Sequence, residues 1–112
     1  MIHSYKELIV WQRSIDLVTV IYELTGHFPK AEVFGLVSQM RRASVSVPSN
    51  IAEGRHRGTR KDFLNFLRIA YGSCAELSTQ IEISKRLNYT KETDTDFLRA
   101  TQHLEEIMKM LG

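Results

Sequence analysis

The sequence predicts an all-α protein, an antiparallel up-down-up-down four-helix bundle whose second helix is kinked at Pro48. Three observations carry this. Apolar residues recur at alternating three- and four-residue steps in four stretches, the spacing that lines one side of a helix. The first three stretches end at glycine, proline or asparagine, and each successor starts within a few residues, so neighbouring helices must fold back on one another. No stretch alternates apolar and polar residues between turn signals as a half-buried strand would. A chain of 112 residues suffices for one core, so residues 1–112 are expected to form a single domain.

The first helix is marked by Leu8, Trp11, Ile15, Val18, Tyr22 and Thr25, with a second stripe of Val10, Ser14, Leu17, Ile21, Leu24 and Phe28 beside it. Two stripes make a wide apolar face, as packing against two neighbours requires. Gly26, read as a left-handed cap, and Pro29 end it.

The second helix is expected to begin near Ala31 and to bury Leu36, Met40, Ala43, Val47 and Ile51. This pattern crosses Pro48, which lacks a backbone donor and clashes with the carbonyl of Ser44. A kink is favoured over a fresh start, since Val47 would then be the N-cap and valine is a poor one. Ser44, Ser46, Ser49 and Asn50 surround the break and offer side-chain hydrogen bonds.

Gly58 followed by Thr59 reads as a left-handed stop and an N-cap, with Asp62 three residues on as in a capping box. The third helix then carries Phe63, Leu67, Ala70, Cys74, Leu77, Ile81 and Ser84 to about Leu87. Asn88 suits a left-handed cap and Thr90 the next N-cap. Phe97, Thr101, Leu104, Met108 and Leu111 mark the fourth helix.

Composition bounds the function. Hydrophobic residues make up 43% and charged residues 25%, the balance of a folded globular chain, not a disordered one. No apolar run approaches the roughly 20 residues that span a bilayer, and Met1 is not followed by a signal-peptide pattern, so a cytoplasmic protein with no membrane partner is expected. Cys74 is the only cysteine, which rules out a disulfide framework within one chain and reads as a small core residue. The segment from Arg41 to Arg68 holds seven basic residues against two acidic ones, a local charge of +5 in a chain of net +2, which leaves −3 elsewhere. Such asymmetry concentrates positive field on one part of a surface.

Catalysis has no positive support. There is no nucleophile elbow, phosphate-cradling glycine loop or zinc-type His-Glu-x-x-His. Glu53-x-x-His56 has the spacing of a bundle iron ligand pair, but a di-iron site needs a second such pair. His27 and His103 follow Leu24 and Ala100 at that spacing, and His3 follows nothing. No cofactor, metal or catalytic residue is assigned, and the chain is expected not to be an enzyme.

Two constellations remain. Arg55, Arg57, Arg60 and Lys61 at the second turn, with Arg41 and Arg42 earlier on the same helix, are candidate phosphate contacts, arginine because its planar fork grips phosphate with two bonds. The plainer reading is a solvated corner whose cations complement a helix C-terminus. A polar strip of Gln39, Arg42, Ser46, Asn50 and Glu53, facing Glu76 and Gln80, is a candidate subunit interface or polar network, against the plainer reading of an exposed helix face.

Longer motifs are also present: Tyr5-Lys6-Glu7-Leu8-x-x-Trp11-Gln12, Phe28-Pro29-Lys30, Phe34-Gly35-Leu36-x-x-Gln39-x-Arg41-Arg42-Ala43, Val47-Pro48-Ser49-Asn50-Ile51-Ala52-Glu53-Gly54, and Phe63-x-x-Phe66-Leu67-x-x-Ala70-x-Gly72-Ser73-x-x-Glu76-Leu77. Together they resemble the four-helix-bundle family encoded in intervening sequences of bacterial 23S ribosomal RNA genes, and the resemblance covers nearly the whole chain. It implies a ring-shaped homopentamer with a basic surface for nucleic acid. The chain is also similar to the accessory subunit of diversity-generating retroelements, which implies a reverse transcriptase as partner. Relatives usually continue the fourth helix by a turn or more beyond the equivalent of Gly112. The expected function is thus a homo-oligomeric bundle that binds RNA or DNA backbone through Arg41, Arg42, Arg55, Arg57, Arg60 and Lys61 as a scaffold or accessory factor. The alternative is a module that binds an acidic protein partner without nucleic acid.

Overall fold

In the computed structural model, which describes residues 4–112, four α-helices form the molecule: α1 (Ile9–Thr25), α2 (Leu36–Arg57), α3 (Arg60–Arg86) and α4 (Thr95–Leu111). Short 3-10 turns, Tyr5–Glu7 and Lys30–Glu32, precede α1 and α2. Among the described residues no strand occurs. Helix α3, at 27 residues and about 1.5 Å per residue, sets the long axis of a body measuring 44 × 25 × 19 Å. Consecutive helices pack on one another and α4 returns to α1, while the backbones of the diagonal pairs stay apart. This is the expected antiparallel bundle.

The core is the inner seam of all four helices. Leu17, Ile21, Met40, Val47, Ile51, Cys74, Leu77 and Ile107 have almost no exposed surface, and at roughly 25 cal/mol per Å2 of apolar area their burial is the main force closing the bundle. On α1 the seam runs through Ser14, Leu17, Ile21 and Leu24 and is continued past the helix end by Phe28; of the other stripe only Thr25 is buried. Trp11 is half-buried, with its ring edge-on to Tyr5 at 5.3 Å, and Tyr22 lies 43% exposed. On α4 the buried set is Ala100, Leu104 and Ile107, one step round from the expected stripe. Buried serines on the helices bond within their own helix: Ser14 Oγ donates to the Val10 carbonyl at 2.6 Å and Ser84 Oγ to that of Gln80 at 2.8 Å. This back-bonding lets small polar residues occupy a dry seam.

Several local expectations are corrected. Gly26 is right-handed (φ −61), so the first helix ends for want of a continuing ladder before Pro29. Helix α2 starts at Leu36, not Ala31; its first-turn amide at Leu36 is held by Glu32 Oε1 at 3.2 Å. Thr90 does not cap α4. Asp94 is the N-cap, and Thr90 Oγ1 instead donates to the Asp94 carboxylate at 3.2 Å. At Pro48 the favoured reading holds in that α2 runs through it as a single helix. Near it, Asn50 Nδ2 donates to the Ser46 carbonyl at 2.8 Å and Ser44 Oγ to the Arg41 carbonyl at 2.8 Å. Gly58 (φ 86) and Asn88 (φ 63) adopt the left-handed conformations expected of them.

Candidate nucleic-acid interface

The α2–α3 corner is built by punctuation. Gly58 alone in the turn takes the positive φ that lets α2 stop, and Thr59 Oγ1 accepts the Asp62 amide at 3.1 Å to start α3 at once. The two helices can close this tightly because Gly54 lies against Phe63 and Phe66 with no side chain between. The corner therefore presents two helix ends together. The last turn of α2 contributes Arg55, His56 and Arg57, and the first turn of α3 contributes Arg60, Lys61 and Asp62.

Arg57, Arg60 and Lys61 are exposed and Arg55 is half-buried. Arg55 and Arg60 flank a shallow groove whose other walls are Gly54, Gly58, Thr59 and Phe63. Arg57 stacks its guanidinium over the Phe66 ring at 5.1 Å and pairs with Glu53 at 3.5 Å. Both partners of that pair are about half exposed, so it is a weak contact in high dielectric and leaves the cation available to other anions. The N-terminal end of the α3 dipole adds a partial positive charge beside Arg60 and Lys61, although Thr59 already takes up the Asp62 amide.

Arg41 and Arg42 stand elsewhere. Thirteen residues separate Arg42 from Arg55 along α2, a distance of about 20 Å. Arg41 Nε donates to Thr25 Oγ1 at 3.0 Å and its guanidinium lies 4.4 Å from the centre of the Tyr22 ring, so Arg41 ties α2 to α1. Arg42 is exposed. The six candidate cations thus divide into a corner quartet and a distant pair.

Part of the polar strip is joined within the chain. Ser46 Oγ meets Ser73 Oγ of α3 at 2.8 Å, and Asn50 Nδ2 reaches Ser46 Oγ at 2.9 Å. These small polar residues sit where α2 and α3 pack most intimately. Glu53 belongs with Arg57, whereas Gln39 and Glu76 are exposed and Gln80 is buried. Sequence spacing missed Phe34, which precedes α2 and is 97% exposed; a lone aromatic between Pro29 and Gly35 carries no periodic signal.

Among the described residues no group of three or more His, Cys, Asp or Glu side chains is placed to hold a metal ion; His3 lies outside them. Cys74 is buried and desolvation pushes its thiol up to about 11, so it has little thiolate character. No helix among the described residues is long and apolar enough to cross a membrane.

Comparison with known proteins adds two findings. The family model for the 23S rRNA-intervening sequence protein matches residues 6–112. The fold is similar to the crystal structure of a protein with unknown function from the S23 ribosomal protein family of Bacteroides thetaiotaomicron. The TM-score is 0.79 at 24% identity, covering 92% of this chain and 94% of that one. No curated protein matches.

Proposed function

The chain belongs to the 23S rRNA-intervening sequence protein family, and from that membership we propose that it is a non-enzymatic, self-associating bundle that binds the backbone of RNA or DNA through its α2–α3 corner. The observation that carries this reading is the convergence of Arg55, Arg57, Arg60 and Lys61 on one tight turn, from two helix ends, with Arg60 and Lys61 exposed. Phosphate oxygens suit such a surface: guanidinium forks bond them in pairs and the N-terminal end of the α3 dipole adds to the field. The corner's aromatics, Phe63 and Phe66, are half-buried and offer no open stacking platform, so the recognition we propose there is of backbone charge and not of base sequence. The family's name, which refers to sequence lying within 23S ribosomal RNA, favours RNA as the natural ligand. Self-association would array several corners on one nucleic acid and raise avidity.

The test is binding of unrelated 30-nucleotide RNAs, with DNA of the same sequences alongside, to the wild type and to R55A/R57A/R60A/K61A across a salt series. Removing four phosphate contacts should lower affinity alike for every sequence and flatten the slope of log K against log salt by about 3. The matching four-lysine variant, which keeps the charge, should retain most of the slope. A quadruple variant that keeps its circular dichroism and binds with unaltered affinity and slope overturns the proposal.

A further inference from the structure

We propose that Phe34 and the cations beside it form a second nucleic-acid site, one that stacks an unpaired base of a single strand and holds its flanking phosphates. This goes beyond the α2–α3 corner and rests on the reading that the chain binds nucleic acid. Phe34 is 97% exposed, so its ring stands open to water. The segment that carries it is braced: Val33 N–H donates to the Lys30 carbonyl at 3.1 Å and Gly35 N–H to that of Glu32 at 3.0 Å. The Glu32 carboxylate adds a tie on each oxygen, accepting the Leu36 amide at 3.2 Å and the Tyr89 hydroxyl at 2.7 Å. A large aromatic presented to water from a braced segment forgoes burial energy within its own chain. Every nucleobase has a flat face able to cover such a ring.

Charge selects the partner. Phe34 borders an open depression that Lys30, Arg41 and Arg42 also line, and among the described residues no carboxylate lines it. Lys30 and Arg42 are exposed, and neither belongs to an ion pair among the described residues. Arg41 is a fixed positive edge, held by Thr25 Oγ1 at 3.0 Å and lying 4.4 Å from the centre of the Tyr22 ring. Cations interleaved with an open aromatic are the makings of a single-strand site, in which the cations follow the phosphates and the ring takes a base. An acidic peptide would meet the same cations, but its anchoring side chain needs a pocket to fill. A protruding ring offers a flat face instead.

The two sites answer to different features of a nucleic acid. Arg42 beside Phe34 and Arg55 at the corner are about 20 Å apart along α2, so neither site is part of the other. The corner meets phosphate charge, which single and double strands both carry. Phe34 needs an unpaired base, since the bases of a duplex are already stacked on one another and only splayed bases reach an aromatic side chain. Phe34 therefore gives the chain a preference for single strands that the corner alone does not.

Fluorescence anisotropy of the full chain with a labelled single-stranded RNA of mixed sequence, about 12 nucleotides long, and with the same strand annealed to its complement, tests this. The wild type should bind the single strand more tightly than the duplex. F34A should weaken single-strand binding by about 10-fold, the loss of one stacked base, and leave duplex binding and both salt slopes as in the wild type. F34W should keep the single-strand affinity, and its emission above the Trp11 background should be quenched by the single strand and not by the duplex. K30A/R42A should flatten the single-strand slope by about 1.4, two phosphate contacts at roughly 0.7 each. The corner variant R55A/R57A/R60A/K61A should weaken both forms and keep the preference, which separates the two sites. F34A that binds the single strand as the wild type does, or that loses single strand and duplex alike, overturns the Phe34 site and spares the corner. So does an F34A whose affinity falls together with its sedimenting mass, since the ring then serves assembly and not a base. Equal single-strand affinities with a loss confined to poly(Glu,Tyr), an acidic aromatic peptide, give the surface to protein and overturn it likewise. A wild type that binds neither RNA overturns both sites together.

Discussion

Gly54 and Phe66 stand so close that a Cβ built on Gly54 would lie 2.6 Å from the Phe66 Cβ and 3.3 Å from the Phe63 Cα. Neither atom is the free end of a flexible side chain, so relief requires α2 and α3 to move apart. Alanine at 54 gains about 1 kcal/mol of helix propensity over glycine. Overpacking a tight contact costs about 1–3 kcal/mol, and here the obstruction is near-backbone. G54A should therefore lower stability in urea unfolding, and because it wedges the corner it should weaken RNA binding more than an equally destabilising change remote from it.

Gly72 supplies the contrast. It lies in the interior of α3, and a Cβ there would meet nothing within 4 Å. Its φ is not in the left-handed region, so alanine fits the existing backbone. G72A should raise stability by about 0.5–1 kcal/mol through the smaller freedom of the unfolded chain. A loss of stability or of assembly in this variant would show that another surface approaches α3 at that point.

These glycines show what sequence could and could not reveal. The helices and the Gly58–Thr59 junction were legible because they depend on local rules: apolar steps of three and four, a positive φ, a hydroxyl accepting an amide three residues on. Asn88 was legible for the same reason. What escaped depends on partners distant in the chain. The start of α2 is set by Glu32, which also accepts a bond from Tyr89, 57 residues away, and Arg41 is drawn to Tyr22 across a helix pair, so spacing alone placed it with the phosphate contacts. The corner quartet lies within seven residues of sequence and stays together, while Arg42, grouped with it by composition, stands about 20 Å off. Phe34 escaped because its meaning lies in being exposed, which no hydrophobic pattern encodes.

Cys74 should behave as a core group. It has no exposed surface, and with its thiol pushed up to about 11 only a trace is thiolate at neutral pH, where an ordinary cysteine already shows a few per cent. Labelling by a disulfide reagent at pH 7.5 should be negligible in the native state and complete in urea, with a rate that tracks unfolding. The sign of the linked stability follows. A thiol whose pKa is raised on folding keeps its proton longer than in the unfolded chain, so the fold weakens as pH rises from the ordinary value of 9.0 towards about 11. Rapid labelling of the native protein at neutral pH would refute this placement.

The Glu32–Tyr89 bond offers a pH signature. The Tyr89 hydroxyl donates to Glu32 Oε2 at 2.7 Å, while Glu32 Oε1 receives the Leu36 amide, so one carboxylate both starts α2 and ties it to the α3–α4 connection. Those bonds favour the ionised form and hold Glu32 below the usual value of 4.5, with the Tyr89 bond the larger cause. The same contact raises Tyr89 above 10.0, chiefly because the hydroxyl must keep its proton to donate to Glu32. For Glu32, folded pKa below unfolded pKa means stability that is present above 4.5 and is lost as pH falls through the folded value. For Tyr89, the raised pKa means stability present below 10.0 and lost as pH climbs through the folded value. Y89F removes the hydroxyl and keeps the ring against Phe28, 5.4 Å away. Its urea midpoint should therefore lie below that of the wild type throughout the neutral range, and the gap should narrow on acidification past 4.5 as Glu32 takes up its proton. In a double-mutant cycle with E32Q the two losses should be less than additive, because either change alone already breaks the shared bond. A gap between Y89F and wild type that stays constant from pH 7 down to pH 3 would separate Tyr89 from the Glu32 charge and leave ring packing as its sole contribution.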